Sequence, residues 1–380
     1  MAIKVLHLID SGGLYGAEKM LLTLVSEQIK QGLAPMILSA GEPEQPEKPL
    51  ETEAKNLGLP VTPWRMKAGF NLMGAKDIFR WARSNGFQLL HSHGYKFNVL
   101  MGLWPESIRS LPLVTTLHGY IKAPRFTKSW LYESVDRFAL NQMRAVVLVS
   151  ETMRQQIPRA ISESERVAVI PNGLDVDAVQ LKAQCPLSET YLDFLEAHSP
   201  VVLAVGRLSP EKGFDRLIQA FSLVIEDYPN AGLIIIGEGA MRGQLERQAK
   251  EADLSSNLLL PGYSDQVPAL MSKVDMLCMP SLTEGLPITL LEAMAVEVPI
   301  LATNVGEIGQ VLGRTGTHTS GGVVIPENDG AALLDGMKEV LSSLGAQKIA
   351  ANWARDRVQS AYSSVSMARQ YSAVYQQAIG

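Results

Sequence analysis

The chain has 380 residues, of which 46% are apolar, and its formal net charge is −5, with acidic and basic residues mixed along the sequence. This length is typical of two domains, and the mildly acidic charge gives no sign of the basic face by which proteins usually bind nucleic acid, so we expect no nucleic-acid partner. The two cysteines, Cys185 and Cys278, form neither a disulfide framework nor a zinc motif, so we expect a cytoplasmic protein.

The first residues form an apolar run that ends at Asp10. Residues 3–9 are too few for a signal peptide, and no stretch approaches the roughly 20 apolar residues that cross a bilayer. Any contact with a membrane is therefore expected to be peripheral. The same run is predicted to be a buried strand, followed by a helix over residues 17–31 that Gly32 ends and by a strand over residues 35–40.

The alternation of strands and helices continues along the chain. Further strands are predicted at residues 89–91, 113–117, 145–150 and 167–170. After Pro171-Asn172-Gly173 the periodicity is lost until residue 199, and it returns with strands at residues 201–206, 233–237, 257–260, 276–279 and 299–302. This pattern predicts an α/β protein of two doubly wound, Rossmann-like domains, residues 1–175 and 176–360. Ligands should bind where the carboxyl ends of the two sets of strands face each other across a cleft.

The last segment has helical periodicity. Over residues 362–378, one predicted face carries Val365, Ala368, Tyr371 and Tyr375. An apolar face of this kind needs a surface against which to bury.

A glycine-rich turn, residues 11–16, separates the first strand from the first helix. Glycines at Gly12, Gly13 and Gly16 would let the backbone approach a phosphate at a helix N-terminus. A dinucleotide fingerprint fits poorly, because Ser11 stands where the first glycine belongs and the second strand ends without an acidic residue. A plain tight turn and a ligand contact both remain open.

Two cations follow the first strand of the second domain. Arg207 and Lys212 lie on one strand-to-helix loop, where both could bind a single diphosphate: the arginine as a planar fork and the lysine as a point charge. A solvated loop in which Glu211 pairs with a neighbouring cation is the alternative.

Two glutamates, Glu284 and Glu292, stand on either side of a predicted helix start near Pro287. Backbone N–H groups at residues 288–290 could bind phosphate there, and a carboxylate can accept from two vicinal hydroxyls. The alternative is a capping acid followed by a surface glutamate.

Together these motifs resemble a large family, the retaining GT-B glycosyltransferases of group 1 (glycosyltransferase family 4-like). The family pattern Gly-Arg-Leu-x-x-Glu-Lys-Gly stands at residues 206–213, and Glu-(seven residues)-Glu-Ala-Met-Ala at residues 284–295. The resemblance covers nearly the whole chain through the turn at 12–16, Leu117-His118-Gly119, Pro171-Asn172-Gly173, Gly237-Glu238-Gly239 and the closing tyrosine-rich helix.

The resemblance implies roles for the matching residues. The catalytic set would be His118, Glu284, Arg207 and Lys212, with His118 over the donor sugar. The donor-binding set would comprise Arg207 and Lys212 on the diphosphate, Gly12 and Gly13 at phosphate, Tyr263 by the nucleobase, Glu284 on hydroxyls of the sugar, Glu292 on the ribose, and Ile288, Thr289 and Leu290 at the helix N-terminus. The helix within residues 361–380 would cross back onto the first domain.

The sequence departs from the family pattern at two places. Glu297 stands where a glycine is usual, and residues 305–310 replace a run that usually ends Ile-Pro-Glu. Both departures concern loop shape and leave the diphosphate-binding residues intact.

Other polar clusters are weaker candidates. Asp175-Val176-Asp177 is an Asp-x-Asp motif, which binds metal in other glycosyltransferases, but here it follows Pro171-Asn172-Gly173 at the predicted hinge. His91 and His93 lack a third partner in the sequence, so no metal site is predicted. Residues 120–132 mix basic and aromatic side chains, which suits either an anionic membrane surface or a solvated acceptor loop. Acceptor-side candidates are Tyr15, His93, Tyr95, Lys96, Tyr120 and Arg125.

The sequence thus predicts a metal-independent, retaining hexosyltransferase. It would use a nucleoside diphosphate sugar, with UDP the default base, and a glycan, lipid-linked or small-molecule acceptor, as in cell-envelope polysaccharide synthesis, without a permanently bound cofactor. It would act in the cytoplasm or at the inner face of the membrane. A nucleotide-sugar 2-epimerase and a non-catalytic nucleotide-sugar-binding protein are the alternatives.

Overall fold

A computed structural model describes residues 2–10, 13, 16–67, 69, 71–118, 135–316 and 318–380. The chain forms two compact units: the N-terminal unit comprises Met1–Gly173 and Ser364–Gly380, and the C-terminal unit comprises Leu174–Ser363. Each contains a parallel sheet with helices packed against it, which confirms the predicted class of two Rossmann-like domains. Within the described residues, no helix combines the length and the apolar character needed to cross a membrane.

The N-terminal unit is built on a parallel sheet. Its strands are β1 (Lys4–Ile9), β2 (Ala34–Gly41), β3 (Val61–Arg65), β4 (Leu89–Ser92), β5 (Leu113–Leu117), β6 (Ala145–Leu148) and β7 (Val167–Val169). They pair in the order β3-β2-β1-β4-β5-β6-β7. The described helices that accompany them are α1 (Gly16–Lys30), α2 (Pro49–Asn56), α3 (Leu72–Ser84), α4 (Tyr95–Gly102), α5 (Glu106–Arg109), α6 (135–140) and α7 (Arg159–Ser162).

The C-terminal unit repeats this architecture. Its strands are β8 (Val201–Val205), β9 (Gly232–Ile236), β10 (Leu258–Gly262), β11 (Met276–Met279), β12 (Ile300–Thr303) and β13 (Val323–Ile325), paired in the order β10-β9-β8-β11-β12-β13. Its helices are α8 (Val176–Ala183), α9 (Glu189–Ala197), α10 (Phe214–Val224), α11 (Arg242–Glu251), α12 (Val267–Met271), α13 (Ile288–Ala295), α14 (Ile308–Val311), α15 (Gly330–Ser342) and α16 (Leu344–Ala361).

The predicted strands are those with continuous apolar runs, because helices cover both faces of a parallel sheet. In β5, for example, every residue from Leu113 to Leu117 is buried. The two strands without a prediction, β3 and β13, lie at sheet edges. Pro63 in β3 is exposed, as expected for proline, which has no backbone N–H to donate and is confined to edge strands.

The stretch at residues 172–199 is more ordered than its weak periodicity suggested. It contains α8 and α9, and Asp175 caps α8 by accepting a hydrogen bond from the N–H of Ala178 at 3.0 Å. This carboxylate therefore caps the N-terminus of a helix, which is a common role for aspartate.

The last helix, α17 (Ser364–Ile379), belongs to the N-terminal unit and packs against α1 and the ends of β4 and β5. Tyr371 and Tyr375 are fully buried there together with Ala368, in agreement with the predicted face. Val365 is an exception: it is 41% exposed, so the buried face is narrower than expected.

Candidate functional site

The loop after β8 carries the two predicted diphosphate-binding cations. Arg207 is exposed to solvent. Lys212 lies one turn further on, and its Nζ donates to Oε1 of Glu284 at 2.5 Å. The Ser281 hydroxyl donates to the same carboxylate oxygen at 2.7 Å. The loop therefore brings a lysine and a glutamate together that are 72 residues apart, and both belong to the predicted site.

Glu211 on this loop accepts from the Ser209 hydroxyl at 2.6 Å, and this hydrogen bond lowers the pKa of its carboxyl. Because Glu211 is hydrogen-bonded to Ser209, Lys212 forms its ion pair with Glu284 instead.

Two glycines determine the shape of this loop. A Cβ on Gly237 would lie 1.8 Å from the carbonyl oxygen of Gly206, and one on Gly239 would lie 2.3 Å from that of Leu208. The N–H of Leu208 also donates to the carbonyl of Glu238 at 2.9 Å. The Gly237-Glu238-Gly239 segment after β9 therefore packs directly under the backbone on either side of Arg207, at a distance that side chains would prevent.

Helix α13 begins at Ile288, four residues after Glu284, and Pro287 occupies its N-cap. Ile288 and Thr289 are the first residues of the helix, and N–H groups at such positions have no intrahelical acceptor. The N–H of Leu290 differs, because it donates to the carbonyl of Pro287 at 3.2 Å. Of the three predicted N–H groups, those of Ile288 and Thr289 are therefore the most available to a phosphate. Glu292 is half-buried within the same helix.

The loop that departs from the family pattern lies against Glu284. Gly306 has a φ of +56°, and a Cβ there would lie 2.2 Å from the carbonyl oxygen of Glu284. The N–H of Glu307 donates to the carbonyl of Gly285 at 3.1 Å. Residues 305–310, which follow β12, thus contact the backbone of Glu284 and Gly285 despite their unusual sequence.

Tyr263 follows β10 and is 82% exposed. The carbonyl of Gly262, the residue before it, accepts from the N–H of Gly237 at 2.9 Å, so this aromatic side chain extends from the strand end next to the glycine segment. An exposed ring in this position is free to stack on a flat partner.

In the N-terminal unit, an ion-pair cluster lies at the carboxyl end of β1. Asp10 pairs with Lys48 at 2.9 Å and with Lys96 at 2.5 Å. Burial raises the pKa of Asp10, but hydrogen bonds from Lys96 and Lys48 outweigh it and lower the pKa overall. Lys96, an acceptor-side candidate, is therefore held beside Asp10 at the start of α4, next to the exposed Tyr95.

A cluster of four histidines lies on the same edge of this sheet. His7 on β1 is the register partner of His91 on the neighbouring strand β4, and His93 follows β4 by one residue. His118 follows β5, and its Nε2 lies 3.2 Å from Nδ1 of His93. His7, His91 and His93 are buried, and one ring nitrogen of each lies within 4.8 Å of one ring nitrogen of each of the others.

Hydrogen bonds use every ring nitrogen of these three histidines. His7 contacts Gln28 at 2.9 Å and His93 at 2.9 Å, and His91 contacts the hydroxyls of Tyr375 at 2.7 Å and Thr116 at 2.8 Å. With its contact to His118, His93 uses both of its own nitrogens. His7, His91 and His93 are therefore satisfied by neighbouring side chains, and His93 is buried among them.

Burial keeps these imidazoles neutral. It lowers the pKa of His118 to about 4, and that of His7 to about 4 despite the opposing hydrogen bond from Gln28. Burial also lowers the pKa of His91 and of His93 well below the usual range, with neighbouring histidines adding to the effect.

The sequence did not reveal His7, Gln28 or Tyr375 as partners of the predicted histidines. Only the pairing of β1 with β4 and the return of α17 bring them together. Gly13 is buried. Gly12, Tyr15, Tyr120, Arg125 and the segment 120–132 lie outside the described residues.

Similar folds occur in solved glycosyltransferase structures. The Anabaena protein HepE in complex with UDP has a TM-score of 0.79 at 19% identity, covering 98% of this chain and 100% of that one. A glycosyltransferase from Rickettsia africae has a TM-score of 0.78 at 18% identity, covering 100% of this chain and 99% of that one. The two Rossmann-like units therefore have the GT-B fold.

Two family models match the two halves of the sequence. Residues 194–357 match "Glycosyl transferases group 1", and residues 15–178 match "Glycosyltransferase Family 4". The chain therefore belongs to the group 1 glycosyltransferases.

Characterised relatives agree with this family. The chain is 26% identical over 237 residues to the UDP-Gal:alpha-D-GlcNAc-diphosphoundecaprenol alpha-1,3-galactosyltransferase of Escherichia coli. This match covers 60% of this chain and 61% of that protein. It is 25% identical over 351 residues to the alpha-D-kanosaminyltransferase of Streptomyces kanamyceticus, covering 84% of this chain and 88% of that protein. The match to the first of these thus spans less than two thirds of the relative's length.

Proposed function

We propose that this protein transfers a hexose-type sugar from a nucleoside diphosphate donor to a glycan, lipid-linked or small-molecule acceptor. The observation that carries the proposal is the loop of the C-terminal unit, in which the backbone on either side of Arg207 packs on the Gly237–Gly239 segment and Lys212 pairs with Glu284. Cations there would stabilise the charge that develops on a departing diphosphate. We assign donor binding to the C-terminal unit and acceptor binding to the N-terminal unit.

We infer UDP as the nucleotide, with support from the name of the E. coli relative, whose donor is UDP-Gal. Glu292 would bind the ribose hydroxyls, Glu284 the hydroxyls of the sugar, and Tyr263 would stack on the base. The acceptor would approach Tyr95 and Lys96, at the edge where the histidines lie.

We further propose that transfer proceeds with retention and without a metal ion. The bond from the anomeric carbon to the diphosphate breaks, and the acceptor oxygen bonds to the same face of the carbon. The acceptor's proton passes to an oxygen of the departing diphosphate. Lys212 and Arg207 would take up the charge of that group. Because the acceptor attacks on the face from which the diphosphate departs, the reaction needs no carboxylate nucleophile.

A thermal-stability titration with nucleoside diphosphates tests donor binding. UDP at about 100 times its Kd should stabilise the protein by about 2.7 kcal/mol, because it binds only the folded state. For a unit of this size that corresponds to a rise in melting temperature of about 5–10 °C. The double variant Arg207→Ala with Lys212→Ala should lose the rise.

The matched control is Lys338→Ala. This lysine pairs with Asp227 at 2.6 Å, beyond the end of α10 and away from the strand ends that carry the loop, so its loss should leave the UDP effect intact. If no nucleotide shifts the wild-type protein at millimolar concentration, or the control loses the shift as well, the donor site is wrongly assigned.

Product analysis tests the reaction. We expect release of UDP from UDP-hexose, slow with water and faster with an acceptor, and an anomeric proton of unchanged configuration by NMR. EDTA should leave the rate unchanged. A 2-epimer formed without UDP release would identify an epimerase, and binding without any turnover would identify a sensor.

A further inference from the structure

The buried histidines form a hydrogen-bonded chain with a defined direction. We call Gln28, His7, His93 and His118 the histidine chain: each is bonded to the next, at 2.9, 2.9 and 3.2 Å. It runs from α1, across the end of β1, to the residue after β5. Its first three members are buried, so water does not compete for these bonds.

Gln28 sets the direction. Its Nε2 donates to the hydroxyl of Tyr375 at 3.1 Å, which leaves Oε1 to face Nε2 of His7. An amide oxygen only accepts, so His7 must carry its proton on Nε2. A neutral imidazole has one donor and one acceptor, so Nδ1 of His7 then accepts from Nε2 of His93.

The same rule fixes the next link. Since His93 donates from Nε2, its Nδ1 is an acceptor, and His118 must donate to it from Nε2. His118 is neutral as well, which leaves its Nδ1 without a proton. Among the described residues, this Nδ1 is buried and has no hydrogen-bond partner. A buried acceptor without a donor is costly, so it is the position at which a ligand donor would gain most.

We propose that His7 and His93 are positioning residues that hold His118 as the Nε2–H tautomer and so present its Nδ1 as an acceptor for a hydroxyl group of the substrate. The inference rests on the proposed function in taking that substrate to be a sugar. It assigns the contact a direction: the substrate group at Nδ1 donates its proton, as a hydroxyl does and as an ether or phosphate oxygen does not. His7 and His93 act only through His118.

Histidine 15N NMR tests the tautomer without any assay of activity. In the wild-type protein, His118 should show a protonated Nε2 and an unprotonated Nδ1, with the signal assigned by its loss in His118→Asn. His93→Asn keeps an amide oxygen close to the position of Nδ1 and should preserve this tautomer. His93→Phe removes the acceptor and should give a mixture or the opposite tautomer.

A second variant acts from the other end of the histidine chain. Gln28→Met keeps the volume of the side chain and does not touch His118, but it removes the group that sets the direction. We expect His118 to become a mixture of tautomers in this variant. It keeps the test decisive if His93→Phe does not fold. A protonated Nδ1 in the wild-type protein, or an unchanged His118 tautomer in Gln28→Met, would overturn the proposal.

Kinetics with UDP-hexose separate positioning from plain structural support. His93→Phe and Gln28→Met should lower kcat about tenfold with little change in the donor KM, and His93→Asn should restore most of it. A donor with fluorine in place of the contacted hydroxyl should be poor for the wild type and no worse for His93→Phe. Equal kcat in all variants would refute the positioning role. Should the tautomer results hold while no nucleotide sugar turns over, the proposed function fails and the histidine chain stands.

Discussion

Mild acid should unfold the N-terminal unit selectively. Each of the four clustered histidines has a pKa in the folded protein well below the value of about 6.5 that it has in an unfolded chain. Between these two values the unfolded chain binds protons that the folded protein refuses, so stability falls as pH falls. The stabilisation is complete above about pH 6.5 and is lost progressively toward pH 4.

The size of the effect follows from the two pKa values. At pH 5.5, a histidine with values of 6.5 unfolded and about 4 folded contributes about 1.4 kcal/mol less than at neutral pH. The two residues with this folded value, His7 and His118, together cost roughly 3 kcal/mol, out of the about 5–15 kcal/mol by which a typical domain is stable, and the lowered pKa of His91 and of His93 acts in the same direction. The carboxyls with lowered pKa in this unit, such as those of Asp10 and Glu51, titrate only at lower pH, so the window isolates the histidines.

Calorimetry at pH 7.5 and pH 5.5 provides the measurement. The remaining two histidines, His198 and His318, lie in the C-terminal unit, which serves as an internal comparison. Only the transition of the N-terminal unit should move down strongly, and His91→Asn should reduce its pH dependence by about one proton. An N-terminal transition that stays put between these pH values, or two transitions that move equally, would refute the argument.

The other predictions concern glycines and glutamates of the C-terminal unit. Gly237→Ala should destabilise that unit by about 2–6 kcal/mol and abolish UDP binding, because its φ of +146° suits glycine alone and the methyl group would meet Gly206. Its control is Gly243→Ala, in α11 with ordinary contacts, which should stabilise the unit by about 0.5–1 kcal/mol. Equal melting temperatures for the two variants would contradict the geometry. Glu297→Gly should raise the melting temperature slightly. Glycine relieves the backbone strain at a φ of +60°, which is worth about 1 kcal/mol and exceeds the loss of the solvent-exposed ion pair with Arg355. A lower melting temperature would show that the ion pair matters more. Glu284→Gln should raise the KM for the donor sugar more than the Kd for UDP, as measured by kinetics beside calorimetric titration, and equal effects would place this carboxylate on the nucleotide instead.

The apolar strands could be predicted from the sequence because burial on both faces leaves a continuous hydrophobic run. The edge strand β3 could not, because its half-exposed positions tolerate Pro63 and Arg65. The helices α8 and α9 were missed for a related reason: few of their side chains are buried, and exposed apolar residues such as Leu181 and Leu192 obscure the helical periodicity.

The site shows the same division. Local motifs placed Arg207, Lys212 and Glu284 on loops after strands, and the structure brings the last two into contact. The histidine chain had no such local signature. Its members come from α1, from β1 and from the positions directly after β4 and β5, and only strand order brings β1 beside β4. Long-range pairing of this kind leaves no periodic trace in a single sequence.

The return of α17 to the N-terminal unit affects the order of folding during synthesis. A ribosome completes Leu174–Ser363 before it makes Tyr371 and Tyr375, whose rings fill the core beside β4 and β5. The hydroxyl of Tyr375 bonds to His91, and that of Tyr371 bonds to Thr116. Domains usually fold as they emerge, the first one first. Here we expect the second unit to be finished first, while the first waits, with part of its core open, for the last sixteen or so residues of the chain.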